Sequence, residues 1–211
     1  RSTLSSSSAA SDVYKRQVLL GIIIGIFAEL YSRYVLLMQN LGKKWYKNKF
    51  VLKMSICGLI LGSIYSCLPS TFHNLDELQK IIAEQNTSIG IALLAVLVLF
   101  ITTGLAAASG APGGLFYPML TLGGSIGLIM GSWVEIATGH APSTYIFAGM
   151  GAFVAGCSRT PITAMFLAFA LTKNLLIMKP VLISCIASFL IARAFNEESI
   201  YERQIQIELE D

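Results

Sequence analysis

Between positions 109 and 118 the chain reads SGAPGGLFYP, three glycines and two prolines with no charge among them, set in strongly apolar surroundings. Gly113 and Gly114 provide main chain without Cβ atoms, so a ligand can approach the backbone closely. Pro118 fits the first turn of a following helix, where a missing N–H costs nothing. The N–H groups of Leu115, Phe116 and Tyr117 are then unpaired donors at a helix start, where the helix dipole adds roughly half a positive charge. Such an end, with no competing carboxylate, suits an anion. The same spacing also fits a tight glycine turn between two packed helices, and both readings stay open on these residues alone.

Two further groupings could carry chemistry. Glu29 lies within an apolar segment, where an ionisable side chain is a candidate proton carrier. Arg33 stands four residues on, on the same helix face, and an ion pair between the two is the preferred reading. Ser109, in the run AASGA, and His140 could serve an intramembrane serine hydrolase as nucleophile and base. Against this, the glycine-bearing nucleophile signature is incomplete and His140 sits in a polar connection. Cys57, Cys67, Cys157 and Cys185 are scattered without CxxC spacing, so neither a metal site nor a disulfide framework is expected, and no cofactor is implied. His73 and His140 read as solvated loop residues.

The elements that must hold these groups are apolar. Of 211 residues, 55% are hydrophobic and 13% charged, and between Gln85 and Ser158 the only formally charged side chain is Glu135. That excludes an ordinary soluble domain and indicates an all-α, multi-pass integral membrane protein, since a spanning helix needs about 20 apolar residues. The net charge of +3 rests on local lysines and does not point to nucleic acid. Residues 1–17 are serine-rich, lack an initiator Met and carry no apolar core of a signal peptide; they read as a non-native or artefactual leader. Apolar segments are expected at 18–38, 54–68, 89–108, 115–134, 145–157, 161–171 and 175–191. An amphipathic helix is expected around 75–84, on the external face. Gly21 and Gly25, and likewise Gly58 and Gly62, have the spacing that lets helix backbones approach. Lysines at 43, 44, 47, 49 and 53 mark a cytoplasmic loop. Several later segments are short and separated by Gly, Pro and small polar residues, the pattern of broken helices that line a central site in transporters. A broken-helix carrier for another substrate is therefore an alternative, although no acidic residue lies between Gln85 and Trp133 to coordinate a cation.

SGAPGGLFYPMLTLGG resembles the central GxFxP motif of the CLC family of chloride channels and proton-coupled chloride transporters. LGIIIGIFAELYSRYVLLMQN, AGMGAFVAGCSRTPITAMFLAFALTKN and NEESIYERQI resemble, in order, further helices of that family's second half. The resemblance runs from about residue 18 to 207, with 208–211 as a tail. It implies an inverted-repeat fold with broken and re-entrant helices, and a chloride held by the backbone at Gly114, Leu115, Phe116 and Tyr117, chiefly by the amides of Leu115 and Phe116. It also implies that Tyr201 donates its hydroxyl to the same ion, a role that its charged neighbourhood alone would not indicate. Chloride, or a similar anion such as nitrate, is the expected cargo. A homodimer in a lipid bilayer, with residues 43–53 and the C-terminus cytoplasmic in the plasma (inner) membrane, follows from the same resemblance. Two positions depart from the family's habit: Ala170 where a glutamate is common, and Ala28-Glu29 where Gly-Pro can occur. The first-half motifs, GSGIP and GREGP, do not occur here, so the chain is expected to be the second half of a subunit whose N-terminal half is missing.

Overall fold

The computed structural model describes residues 2–45, 50–84, 87–110, 113–138 and 143–209, and side-chain surroundings for all of these except residues 2–12, 45, 50, 137 and 138. The described residues form helices and connections, with no strand among them. The α-helices are α1 (Ser2–Trp45), α2 (Phe50–Ser66), α3 (Leu75–Ala83), α4 (Ile89–Ser109), α5 (Phe116–Thr138), α6 (Ser143–Ser158), α7 (Pro161–Thr172), α8 (Met178–Phe195) and α9 (Ile200–Leu209). Four helical runs are long and apolar enough to cross a membrane: Val13–Lys44, Ile89–Ser109, Phe116–Ile136 and Leu175–Leu209. Val51–Ser66, Ser143–Ser158 and Pro161–Thr172 are apolar but shorter, as the Gly- and Pro-interrupted sequence leads one to expect.

Local chemistry sets the helix ends. Ser88 caps α4, its hydroxyl accepting from the Ile91 N–H at 3.4 Å, and Gly110 ends that helix in the left-handed region at φ 74°. Asn74 caps α3 through Asp76 N–H at 3.1 Å. Arg159 and Lys173 end α6 and α7 with φ 62° and 52°, unusual for side chains with a Cβ. After Thr160 at the N-cap, the fixed φ of Pro161 opens α7.

The core is a stack in which α6 is buried along almost its whole length between α5 and α8, with α1 lying across α4, α6 and α8. Close approach comes from small residues. A Cβ on Gly123 would collide with the carbonyl of Gly149, and one on Gly149 with that of Gly123, so α5 and α6 touch backbone to backbone. Gly21 and Gly25 do the same for α1 against Ser184 and Ser188 of α8, where an added Cβ would lie 2.5 and 2.7 Å from the carbonyl oxygens. A Cβ on Gly58 or Gly62 of α2 would meet nothing within 4 Å, so this pair packs against no helix among the described residues.

Helix α3 is amphipathic as expected, but Leu78, Gln79 and Ile82 are buried where it leans on α5 and α6. The boundary expected after residue 17 corresponds to no interruption: α1 continues through it, and buried Gln17 accepts from the Ser184 hydroxyl at 2.7 Å.

Candidate functional site

Helix α5 begins where the glycine pair ends. The first intrahelical bond at this end runs from the Met119 N–H to the Leu115 carbonyl, at 3.0 Å. That makes Leu115 the residue flanking the helix and Phe116, Tyr117 and Pro118 its first three positions. The N–H groups of the opening turn have no partner within the helix, and Pro118 contributes none. The donors are therefore the main-chain groups of Leu115, Phe116 and Tyr117. A Cβ on Gly114 would meet nothing within 4 Å among the described residues, so there is free space beside the helix start.

The start of α5 separates two cavities. One, of about 650 Å³, is lined by Gly113, Gly114, Leu115 and Pro118, by Thr102 and Thr103 of α4, and by Tyr65 of α2. Its rim carries Lys43, Lys53 and Glu208, an excess of one positive charge. The Thr102 hydroxyl donates to Val98 O at 2.8 Å and that of Thr103 to Leu99 O at 2.5 Å, while Tyr65 OH lies 3.4 Å from Thr102 Oγ1. The other cavity, of about 830 Å³, takes the side chains of Phe116 and Tyr117 and is edged by Asp76, Glu77, Lys80 and Glu84, an excess of two negative charges. An anion reaching the α5 terminus is thus favoured from the first side and opposed from the second.

Tyr201 lines neither cavity and is 40% exposed. Its place on α9 is nonetheless informative. Gln204 and Glu208 line the cationic cavity, and they stand three and seven residues beyond Tyr201, on the same helix face. Ile200, fully buried, and Arg203 turn inward. A capping box starts the helix: Ser199 N–H donates to Glu202 Oε2 at 2.6 Å, and Glu202 N–H to Ser199 Oγ at 3.2 Å. At the far end, Lys43 Nζ donates to Ile207 O at 2.8 Å, a cation on the last carbonyls of the helix.

Glu29 is the centre of the one densely charged interior cluster among the described residues. The expected pair is present, Arg33 Nε to Glu29 Oε1 at 2.9 Å. Two partners were not legible from spacing: Arg159 Nη2 at 2.8 Å and Arg203, whose two terminal nitrogens each sit 3.2 Å from the carboxylate. The Glu29 side chain is only 4% exposed, Arg159 7% and Arg203 11%. Arg159 also donates to Gly156 O, to Ala192 O at 3.0 Å and to Asn196 O at 3.0 Å, closing the ends of α6 and α8.

For the hydrolase reading, the Ser109 hydroxyl is buried and donates to Ala106 O at 2.7 Å, turned into its own helix. His140 lies outside the described residues. Cys157 and Cys185 are buried, packed as small apolar groups. The described residues bring no three metal-ligating side chains together.

The chain is 29% identical over 192 residues to the H(+)/Cl(-) exchange transporter ClcA of Vibrio parahaemolyticus, covering 88% of this chain and 41% of that protein. It is 30% identical over 195 residues to ClcA of Klebsiella pneumoniae, covering 90% and 41% respectively. The crystal structure of a slow cyanobacterial Cl-/H+ antiporter superimposes with a TM-score of 0.78 at 25% identity, over 93% of this chain and 47% of that one. A eukaryotic CLC transporter shares the fold at a TM-score of 0.76 and 22% identity, over 92% and 35%. The chain thus spans about 41% of the length of the curated relatives it matches. A family model described as voltage gated chloride channel matches residues 8–193, and the chain belongs to that family.

Proposed function

We propose that this chain is the second half, over residues 18–207, of the membrane domain of a protein that carries chloride or a similar small anion, as a channel or a proton-coupled exchanger. The observation that carries the reading is the α5 terminus: Gly113, Gly114 and Leu115, where the main-chain donors begin, line a cavity whose rim is net positive. Moving an anion into a low-dielectric interior costs on the order of 20 kcal/mol by an idealised Born estimate. Preorganised amides replace that hydration, and because they carry partial charges only, the ion can leave again. The Tyr201 hydroxyl completes the site from α9; its position on the face of Gln204 and Glu208 supports that role. The relatives' names support chloride as cargo.

The same reading places the protein in the plasma (inner) membrane with residues 43–53 and the C-terminus cytoplasmic. Lys43 bonds to Ile207, so the lysine-rich end of α1 and the end of α9 share one side, in keeping with that topology. Homodimerisation would use α1, α7 and α8, whose outward faces carry Ile26, Leu30, Ile162, Phe166 and Leu190.

The test is chloride efflux from liposomes holding the gene product that carries this chain. Tyr201→Phe removes one hydroxyl donor, and a hydrogen bond to a charged group is worth about 1.5–3 kcal/mol. Chloride affinity should therefore fall about tenfold or more while the folded yield is unchanged. Undiminished chloride affinity in Tyr201→Phe would remove Tyr201 from the site.

A further inference from the structure

Glu29 holds together groups from three helices, and two of its three partners lead to α9. Arg203 of α9 grips the carboxylate with both terminal nitrogens, at 3.2 Å each. Arg159, at the end of α6, bonds to the same carboxylate and to the carbonyl of Asn196, the residue that closes α8 before α9 begins. The Asn196 side chain then accepts from the Glu198 N–H at 2.9 Å, which shapes the turn into α9. Both the entry into α9 and its inward face are therefore tied to one buried side chain of α1. Tyr201 lies between these two ties, two residues before Arg203. Removing the carboxylate would leave Arg159 and Arg203, whose side chains are only 7% and 11% exposed, as like charges at the root of α9 without their shared counter-charge.

We propose that Glu29 is a positioning residue: acting through Arg203 and Arg159, it fixes where the Tyr201 hydroxyl stands relative to the α5 terminus, and so sets the preference for chloride over other anions. The proposal rests on the reading of Tyr201 given above. Arg33 supplies the internal control. It bonds to the same carboxylate at 2.9 Å but lies on the helix of Glu29 itself, with its side chain 58% exposed, and holds nothing of α9.

The experiment compares Arg203→Gln, Glu29→Gln, Arg33→Gln and Tyr201→Phe in the gene product that carries this chain, reconstituted in liposomes. Two quantities are read: the ratio of chloride to nitrate transport, and the fluorine resonance of a 3-fluorotyrosine incorporated at position 201. Arg203→Gln and Glu29→Gln should lower the ratio about three- to tenfold, part of the worth of one hydrogen bond to the ion, because the hydroxyl is displaced and not removed. The double variant of Arg203→Gln with Tyr201→Phe should lower it no further than either change alone, and Arg33→Gln should leave it unchanged. The resonance should move in Arg203→Gln and stay in Arg33→Gln. If Arg203→Gln does not fold, Arg203→Lys, which keeps the charge and loses the fork, gives the same comparison. A wild-type ratio in Arg203→Gln beside a lowered one in Tyr201→Phe overturns the proposal, as does an equal effect of Arg33→Gln. If Tyr201→Phe itself leaves the ratio unchanged, it is the reading of Tyr201 as an ion ligand that fails, and a resonance that still moves with Arg203→Gln shows that failure to be separate from the positioning.

Discussion

At the scale of single residues, the proposed site depends on main-chain donors, which ordinary side-chain substitution cannot remove. The geometry of α5 offers a way around this. Phe116 is the first helical residue, the position at which proline is best tolerated because its N–H has no partner within the helix. Phe116→Pro should therefore fold, judged by an unchanged elution profile in detergent, yet lose one donor to the ion. Its chloride affinity, from equilibrium binding or efflux, should fall about tenfold or more, as for a hydrogen bond to a charged group. Phe116→Ala, which keeps the N–H, should bind within a few-fold of the parent, and equal losses in the two would assign the effect to the lost ring. The donors at residues 115–117 were legible in the sequence because glycine and proline punctuate a helix start by local rules. Arg159 and Arg203 as partners of Glu29 were not, since they lie 130 and 174 residues away and no periodicity links them. The one signal was Glu29 itself, standing where the family can have Gly-Pro: a departure from habit marked the residue around which α9 is anchored.

The elements show where helix boundaries come from. Ile89–Ser109 was readable almost to the residue because Ser88 and Gly110 are a capping residue and a left-handed terminator. By contrast α1 overruns its expected apolar stretch at both ends, because polar residues continue a helix readily once it is nucleated. The small-residue signal was ambiguous in its own way. Gly21 and Gly25 seat α1 on α8, whereas Gly58 and Gly62, with identical spacing, face nothing among the described residues; spacing permits an approach without naming the partner. The contact between Gly123 and Gly149 yields a prediction at this scale. Either glycine replaced by alanine must drive α5 from α6 or shift their backbones, an overpacking cost of about 1–3 kcal/mol. Gly123→Ala should lower the thermal unfolding midpoint in detergent, while Gly114→Ala, whose Cβ meets nothing within 4 Å, should leave it in place. Equal midpoints for Gly123→Ala and the parent would show the α5–α6 contact to be looser than the backbone distances require.

For the molecule as a whole, the balance of buried and outward apolar surface carries the remaining argument. Large apolar side chains stand outward on several helices: Ile162 at 64% and Phe166 at 56% exposure on α7, Leu190 at 56% on α8, and Leu59 at 73% on α2. Lipid can cover any of them, so exposure alone does not separate a lipid face from a subunit face. Under the proposed homodimer the contact is isologous: each copy presents the same patch, and a residue near the two-fold axis meets its own counterpart. With Cys57 and Cys67 replaced by serine, single cysteines at 162, 166, 186 or 190 should include at least one that forms a disulfide-linked pair in membranes under mild oxidation. A cysteine in place of Leu59, on an equally apolar helix outside the proposed contact, should stay monomeric on a non-reducing gel. Cross-linking at 59 with none at the four α7 and α8 positions would transfer the subunit contact to α2, where Gly58 and Gly62 offer a surface that no described residue covers within 4 Å.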